Sequence, residues 1–182
     1  MKQIVALTAL GLDRPGIVAA VTKVLYESGC NLEESSMTLL HNDFAMIVLI
    51  SMPDTTTLEK LKNAIQPVAH EMGLSVNFRT LSEREISDHN QESLPNYSLS
   101  IYGTDKPGIV YRITSLLAKH KINIIDLETQ CTRSRQPLYS MVLDITVPES
   151  LGEEFLSRML AELCNEIKVD FSLEPITFCE EM

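Results

Sequence analysis

The sequence predicts an α+β chain made of two ferredoxin-like (βαββαβ) domains, each an antiparallel sheet with both helices on one face. Three observations predict it. The segment Gly11-Leu12-Asp13-Arg14-Pro15-Gly16-Ile17-Val18 returns as Gly103-Thr104-Asp105-Lys106-Pro107-Gly108-Ile109-Val110. The repeat length, about 90 residues, exceeds the roughly 20–50 of a solenoid unit and matches a small domain. Within each copy the apolar residues follow the order strand, helix, strand, strand, helix, strand.

Residues 3–10 are rich in Ile, Val, Leu and Thr and read as a strand. A turn over 11–16 leads into a helix whose apolar positions Ile17, Val18, Val21, Val24 and Leu25 share one face. The second copy repeats that stripe as Ile109, Val110, Ile113, Leu116 and Leu117. Gly29 marks the end of the first helix. Residues 32–40 and 44–52 then flank His41-Asn42-Asp43 as a hairpin. Their counterparts, 124–132 and 138–147, are joined by the longer loop 133–137.

Thr56-x-x-Glu59 has the pattern of a capping box and predicts the start of a second helix. That helix carries Leu58, Leu61, Ile65, Val68 and Met72, with Pro67 expected to kink it. Its counterpart carries Phe155, Leu156, Met159, Leu160 and Leu163. Each copy closes on a short alternating strand, Val76/Phe78 and Val169/Phe171. The expected domains are 1–81 and 96–174, with a polar linker over 82–95, in which a local helix is left open, and a loosely held tail over 175–182.

Transferring the sheet register between copies predicts an asymmetry. The open face of sheet two takes Ser140, Val142, Asp144 and Thr146, whereas sheet one takes Ala45, Ile47, Leu49 and Ser51. A more apolar open face invites cover by the other domain or another subunit.

Composition narrows the function. The 182 residues are 45% apolar and 22% charged, enough for two modest cores. No apolar run approaches the roughly 18 residues of a membrane span, and the N-terminus leads straight into the repeat without a signal peptide. Cys30, Cys131, Cys164 and Cys179 lack CxxC spacing, so they read as reduced structural thiols in a cytoplasmic setting, with no metal or other cofactor. A net charge of −10, with 15 basic residues scattered among 25 acidic ones, argues against direct nucleic-acid binding. His41, His70, His89 and His120 sit in no catalytic motif, so no enzyme activity is expected.

The repeated loop is the candidate site. A helix N-terminus offers unpaired backbone N–H groups and the positive dipole end to a carboxylate. Pro15 and Pro107 suit a first helical turn, while Gly16 and Gly108 let a ligand or backbone approach. Asp13 and Asp105 either cap the helix or accept hydrogen bonds from a ligand ammonium. Asn31 and Asn123 either shape a turn or aim an amide at the same pocket. Amide donors beside an acidic acceptor suit a free amino acid.

The order βαββαβ, with Asp-Arg/Lys-Pro-Gly-Ile-Val at the first turn and Gly29-Cys30-Asn31-Leu32 or Lys121-Ile122-Asn123-Ile124 entering the second strand, resembles the ACT domain. Two such domains with nothing attached resemble the glycine cleavage system transcriptional repressor family, to which residues 6–18, with 27–37 following, are particularly similar. The resemblance implies an accessory regulator that senses glycine or a related amino acid and acts through a DNA-binding transcription factor. It implies ligand residues Asp13, Gly16, Ile17 and Asn31, then Asp105, Gly108, Ile109 and Asn123. It also implies ligands held between paired domains; the sheet edges, the apolar open face of sheet one, or both separately predict a homo-oligomer. The alternatives are a regulatory subunit of an amino-acid metabolic enzyme, and a constitutive interaction module without ligand.

Overall fold

The computed structural model describes residues 3–89, 94–132 and 138–177. The hairpin loop 133–137, part of the expected linker and tail, and Cys179 lie outside the described residues. The chain divides into two compact units, Met1–Glu92 and Ser93–Met182.

The first unit runs β1 (Gln3–Leu12), α1 (Ile17–Glu27), β2 (Asn31–Leu40), β3 (Asp43–Met52), α2 (Leu58–Met72), β4 (Leu74–Thr80). Within the stretch expected as linker, α3 (Glu83–His89) follows, anchored by an Arg79–Glu85 ion pair. The second unit runs β5 (Tyr97–Thr104), α4 (Ile109–Lys119), β6 (Asn123–Cys131), β7 (Leu138–Thr146), α5 (Glu153–Ile167), β8 (Val169–Pro175). The sheets have orders β2-β3-β1-β4 and β6-β7-β5-β8, antiparallel at every pairing. This is the expected α+β, ferredoxin-like arrangement, present twice.

Alternation drives it. Val5, Leu7 and Ala9 of β1 are buried against Ile17, Val21 and Leu25 of α1 and Leu61 and Ile65 of α2. Leu99 and Ile101 do the same against Ile113, Leu117, Leu156 and Leu160. Each fully buried aliphatic side chain contributes about 1.5–3 kcal/mol. Between core and chain course stand Gly11 and Gly103. A Cβ on Gly11 would lie 2.7 Å from the Gly73 carbonyl oxygen, and one on Gly103 would lie 2.8 Å from Val169 Cγ1. Glycine there permits the close crossing of the central strand with the start of β4 or β8.

One local expectation shifts. The cap of α2 is Thr57, whose hydroxyl accepts from the Lys60 amide, and not Thr56. Thr56 is spent elsewhere: its Oγ1 donates to the Ser28 carbonyl at 3.0 Å, tying the α2 entry to the end of α1. Pro67 lies inside α2, which runs on to Met72 as its apolar stripe predicts.

Register sets out the open faces row by row. In sheet one the rows are Glu34-Leu49-Ala6-Arg79, Ser36-Ile47-Thr8-Asn77 and Thr38-Ala45-Leu10-Ser75. In sheet two they are Asp126-Asp144-Ser98-Glu174, Glu128-Val142-Ser100-Ser172 and Gln130-Ser140-Tyr102-Asp170. The predicted asymmetry is present, and the second face is acidic as well as polar. Both edge strands β2 and β6 lack any buried residue. Each carries a register shift at the same place, between Leu32 and Glu34 and between Ile124 and Asp126.

Candidate functional site

Both repeated loops build the same helix entry. Gly16 and Gly108 are the N-caps of α1 and α4, in the left-handed region at φ 97° and 96°. A side chain is strained there whatever the space, which is why the motif needs glycine at that point. The space itself is open: a Cβ on Gly108 would meet nothing within 4 Å, and one on Gly16 only Met72 Cε at 4.0 Å. Pro15 and Pro107 stand one residue before the cap and not in the first helical turn.

Neither cap receives a side-chain hydrogen bond. Asp13 and Asp105 are therefore not helix caps, one of the two alternatives open from sequence. Among the described residues no backbone carbonyl takes the amides of Val18 and Ala19, or of Val110 and Tyr111. Uncommitted amides at a helix N-terminus attract an anion through hydrogen bonds and the dipole together. The backbone N–H of Asp13 donates to the Asn42 carbonyl at 2.8 Å, which fixes the loop against the β2–β3 turn. Its carboxylate stays exposed.

The asparagines lie elsewhere. Asn31 pairs with Ser51, which pairs with Ile4 at the start of β1, while Gly16 follows the end of that strand. Asn31 and the loop thus occupy opposite ends of the sheet, and Asn31 Nδ2 donates to Glu33 Oε1 at 3.1 Å. Asn123, paired with Thr146, is likewise at the far end from Gly108. Within one domain the structure brings Asp13, Gly16 and Ile17 together, and Asp105, Gly108 and Ile109, but neither asparagine with them.

The two loops differ in what backs them. Beside the second is a cleft of about 430 Å³, lined by Asp105, Gly108, Ile109, Val110 and Tyr139 among others. Cys131 Sγ lies 3.7 Å from Asp105 Oδ2. Burial first, and then the Asp105 carboxylate, push the Tyr139 phenol above its ordinary value. On the other side of the loop, Lys106, Arg112, Glu166 and Lys168 line a cleft of about 350 Å³, with Arg112 paired to Glu166 at 2.7 Å. In the first copy Phe44 and Leu39 occupy the positions of Tyr139 and Cys131. Motif reading missed Tyr139 and Cys131 because they lie outside the repeated segment. Aligning the hairpins as well as the loops exposes both.

Nothing in the described residues gathers three or more His, Cys, Asp or Glu side chains to hold a metal ion. No helix among them is long and apolar enough to cross a membrane.

Family comparison matches this architecture twice. Residues 3–79 and residues 97–158 each match an ACT domain. Over 178 residues the chain is 24% identical to the glycine cleavage system transcriptional repressor of Escherichia coli (strain K12), covering 96% of this chain and 90% of that one. A UPF0237 protein of Methanopyrus kandleri is 39% identical over 70 residues, 38% of this chain and 78% of its own. Among solved structures, a protein of Galdieria sulphuraria superposes at a TM-score of 0.79 with 29% identity, covering 97% of this chain and all of its own (100%). A provisionally named glycine cleavage system transcriptional repressor shares the fold at a TM-score of 0.74, with 23% identity, covering 98% and 99% of the two chains.

Proposed function

The chain belongs to the ACT-domain family, with two domains in tandem, and on that premise we propose that it is an amino-acid-responsive regulator. One observation carries the proposal: both copies start their first helix on a left-handed glycine without a side-chain cap. That leaves backbone amides open to a ligand carboxylate, and Asp13 or Asp105 available to a ligand ammonium. Glycine or a similarly small amino acid matches both groups.

Its action is on transcription, as an accessory repressor of glycine cleavage working through a DNA-binding protein. Similarity to the Escherichia coli repressor over nearly the whole of both chains supports this. So does charge. The acidic rows of sheet two and the net charge of −10 repel duplex phosphates, so the protein needs a partner to reach DNA. The protein works in the cytoplasm, without a cofactor and without catalysis.

Oligomerisation completes the site. Antiparallel pairing of two β2 edges sets the Asn31 end of one domain against the Leu40 end of its neighbour. The Leu40 end is that of Asp43 and Leu12, hence of the Gly16 loop. Asn31 then serves the loop of another copy, and a separate face-to-face contact would cover the exposed Leu10 and Ile47 on the open face of sheet one.

Calorimetric titration with glycine tests the sensing step. Binding by the parent protein and its loss in Asp13→Ala with Asp105→Ala, at an unchanged ligand-free melting temperature, is the expected result. No binding of any small amino acid by the parent overturns it. Capture of a sequence-specific DNA-binding protein, and not of a metabolic enzyme, is expected from co-purification.

A further inference from the structure

We propose that Tyr139 reads the side chain of the amino acid held at the second loop, selecting one with a short hydroxyl, and that the first loop makes no such selection. The inference rests on the reading of the loops as amino-acid sites.

Tyr139 sits at a corner where three strands meet, flanked in register by Gly103 and Cys131. It is only 8% exposed, and its hydroxyl has no hydrogen-bond partner among the described residues. Leaving a buried hydroxyl unpaired forfeits its hydration with nothing in return, so such a group marks a place where a partner is missing. The same tyrosine lines the cleft at the N-terminus of α4, together with Asp105, Ile109 and Val110. The orphan hydroxyl, closed off from solvent, thus belongs to a residue that lines the same cleft as the open helix end.

The groups divide the ligand between them. Helix amides take the carboxylate and Asp105 takes the ammonium, which leaves only the side chain for Tyr139. A hydroxyl both donates and accepts, as the phenol does, so the two satisfy each other in either sense. An acidic side chain would add a second anion beside Asp105, and a purely aliphatic one would leave the phenol unpaired. Access needs one wall of the cleft to turn aside, and Val110 and Tyr111, 39% and 74% exposed, form that wall.

The first copy supplies the internal control. There the register partners are Gly11, Phe44 and Leu39, with Phe44 only 1% exposed and no polar side chain among the three. Exchanging Phe for Tyr and Leu for Cys turns an all-hydrocarbon backing into a polar one on the same backbone. A glycine, which asks nothing of that corner, fits either loop.

L-serine and L-alanine differ only by the hydroxyl and are the probes. Calorimetry on the full chain should show serine binding one site about tenfold or more tighter than alanine. Tyr139→Phe should bring serine to the alanine level and leave alanine unchanged. Because the chain has no tryptophan, the near-ultraviolet difference between parent and variant isolates the Tyr139 band, which serine should shift. The ligand-free melting temperature of Tyr139→Phe should equal or exceed that of the parent, since only an orphan is removed. An unchanged serine-to-alanine ratio in the variant overturns this inference while leaving the sensing proposal intact. A fall of several degrees without ligand also overturns it, because the hydroxyl then has an internal partner. If the parent binds neither these amino acids nor glycine, both proposals fall together.

Discussion

The two domains share one backbone plan and differ in almost everything laid over it. Position by position, the open face of sheet one has Leu49, Ala6 and Arg79 where sheet two has Asp144, Ser98 and Glu174. Leu10 and Ser75 face Tyr102 and Asp170 in the same way. Among the described strands of sheet two that face bears Asp126, Glu128, Asp144, Asp170 and Glu174 and no basic residue. The turns diverge too. Where copy one ends helices on Gly29 and Gly73, copy two places Lys121 and Lys168 in the same left-handed region, at φ 59° each. Fold is thus set by the residues common to both copies, namely the core stripe and the positive-φ cap.

Substitutions at matched positions sharpen this contrast. The largest effect is expected at the strand crossing. Gly11→Ala should destabilise the first domain by about 2–3 kcal/mol, because the new methyl meets a backbone carbonyl that cannot step aside. Gly103→Ala should cost less, since its nearest neighbour is a side-chain methyl. Equal losses in denaturant titrations of the two variants would remove that distinction.

The open faces come next. Ile47→Glu, at a position 53% exposed, should leave the melting temperature nearly unchanged yet weaken self-association at least tenfold in sedimentation. Val142→Glu, its counterpart at 38%, should change neither. Dissociation by both variants, or by neither, would show that the apolar face is not what holds copies together.

Smaller still are the helix ends. Lys121→Gly and Lys168→Gly should each stabilise the second domain by about 0.5–1 kcal/mol, relieving a left-handed conformation that favours glycine. Part of that gain is offset by the lost attraction of each lysine for a helix C-terminus. A loss of stability in both variants would mean that charge outweighs strain there.

The smallest effect is at α3. The Ser82 backbone amide and hydroxyl, and then Arg79, hold the Glu85 carboxyl down at about 2. A lowered folded-state value stabilises above the unfolded one, so this contribution is complete above pH 4.5 and is lost as pH falls toward about 2. Glu85 is exposed. Glu85→Gln should therefore leave global unfolding unchanged at pH 7, and acid loosening near α3, followed by amide exchange, should no longer depend on pH.

Much of this could be read from the chain. The core positions, element order and duplication follow from periodicity, and agreement between the copies fixed them. The open-face asymmetry was legible because Ala45, Ile47 and Leu49 contrast with Ser140, Val142 and Asp144 on strands with clean alternation. Its acidity was not, because the register shift before Asp126 breaks the alternation that would have placed Asp126 and Glu128 on that side. Thr57 displaced Thr56 as a cap because a contact with Ser28, distant in sequence, claims the Thr56 hydroxyl. Asp13 and Asn31 lie near each other in a family motif, yet a motif carries no strand direction. Only the pairing of Asn31 with Ser51, and of Ser51 with Ile4, shows that they occupy opposite ends.

The irregularity shared by β2 and β6 has a consequence for growth. An edge strand without buried residues is a template onto which further chains can add indefinitely, ending in fibres. One inserted residue near the start of the strand, Glu33 in the first copy and Ile125 in the second, bends the edge and breaks its ladder. Only the stretch from Glu34 to Leu40 remains straight enough to receive a neighbour. The β2 edge can therefore be matched once, by a partner of the same short length, and growth through that edge stops at the pair. A bulge at the mouth of the edge turns an open-ended polymer into a counted assembly.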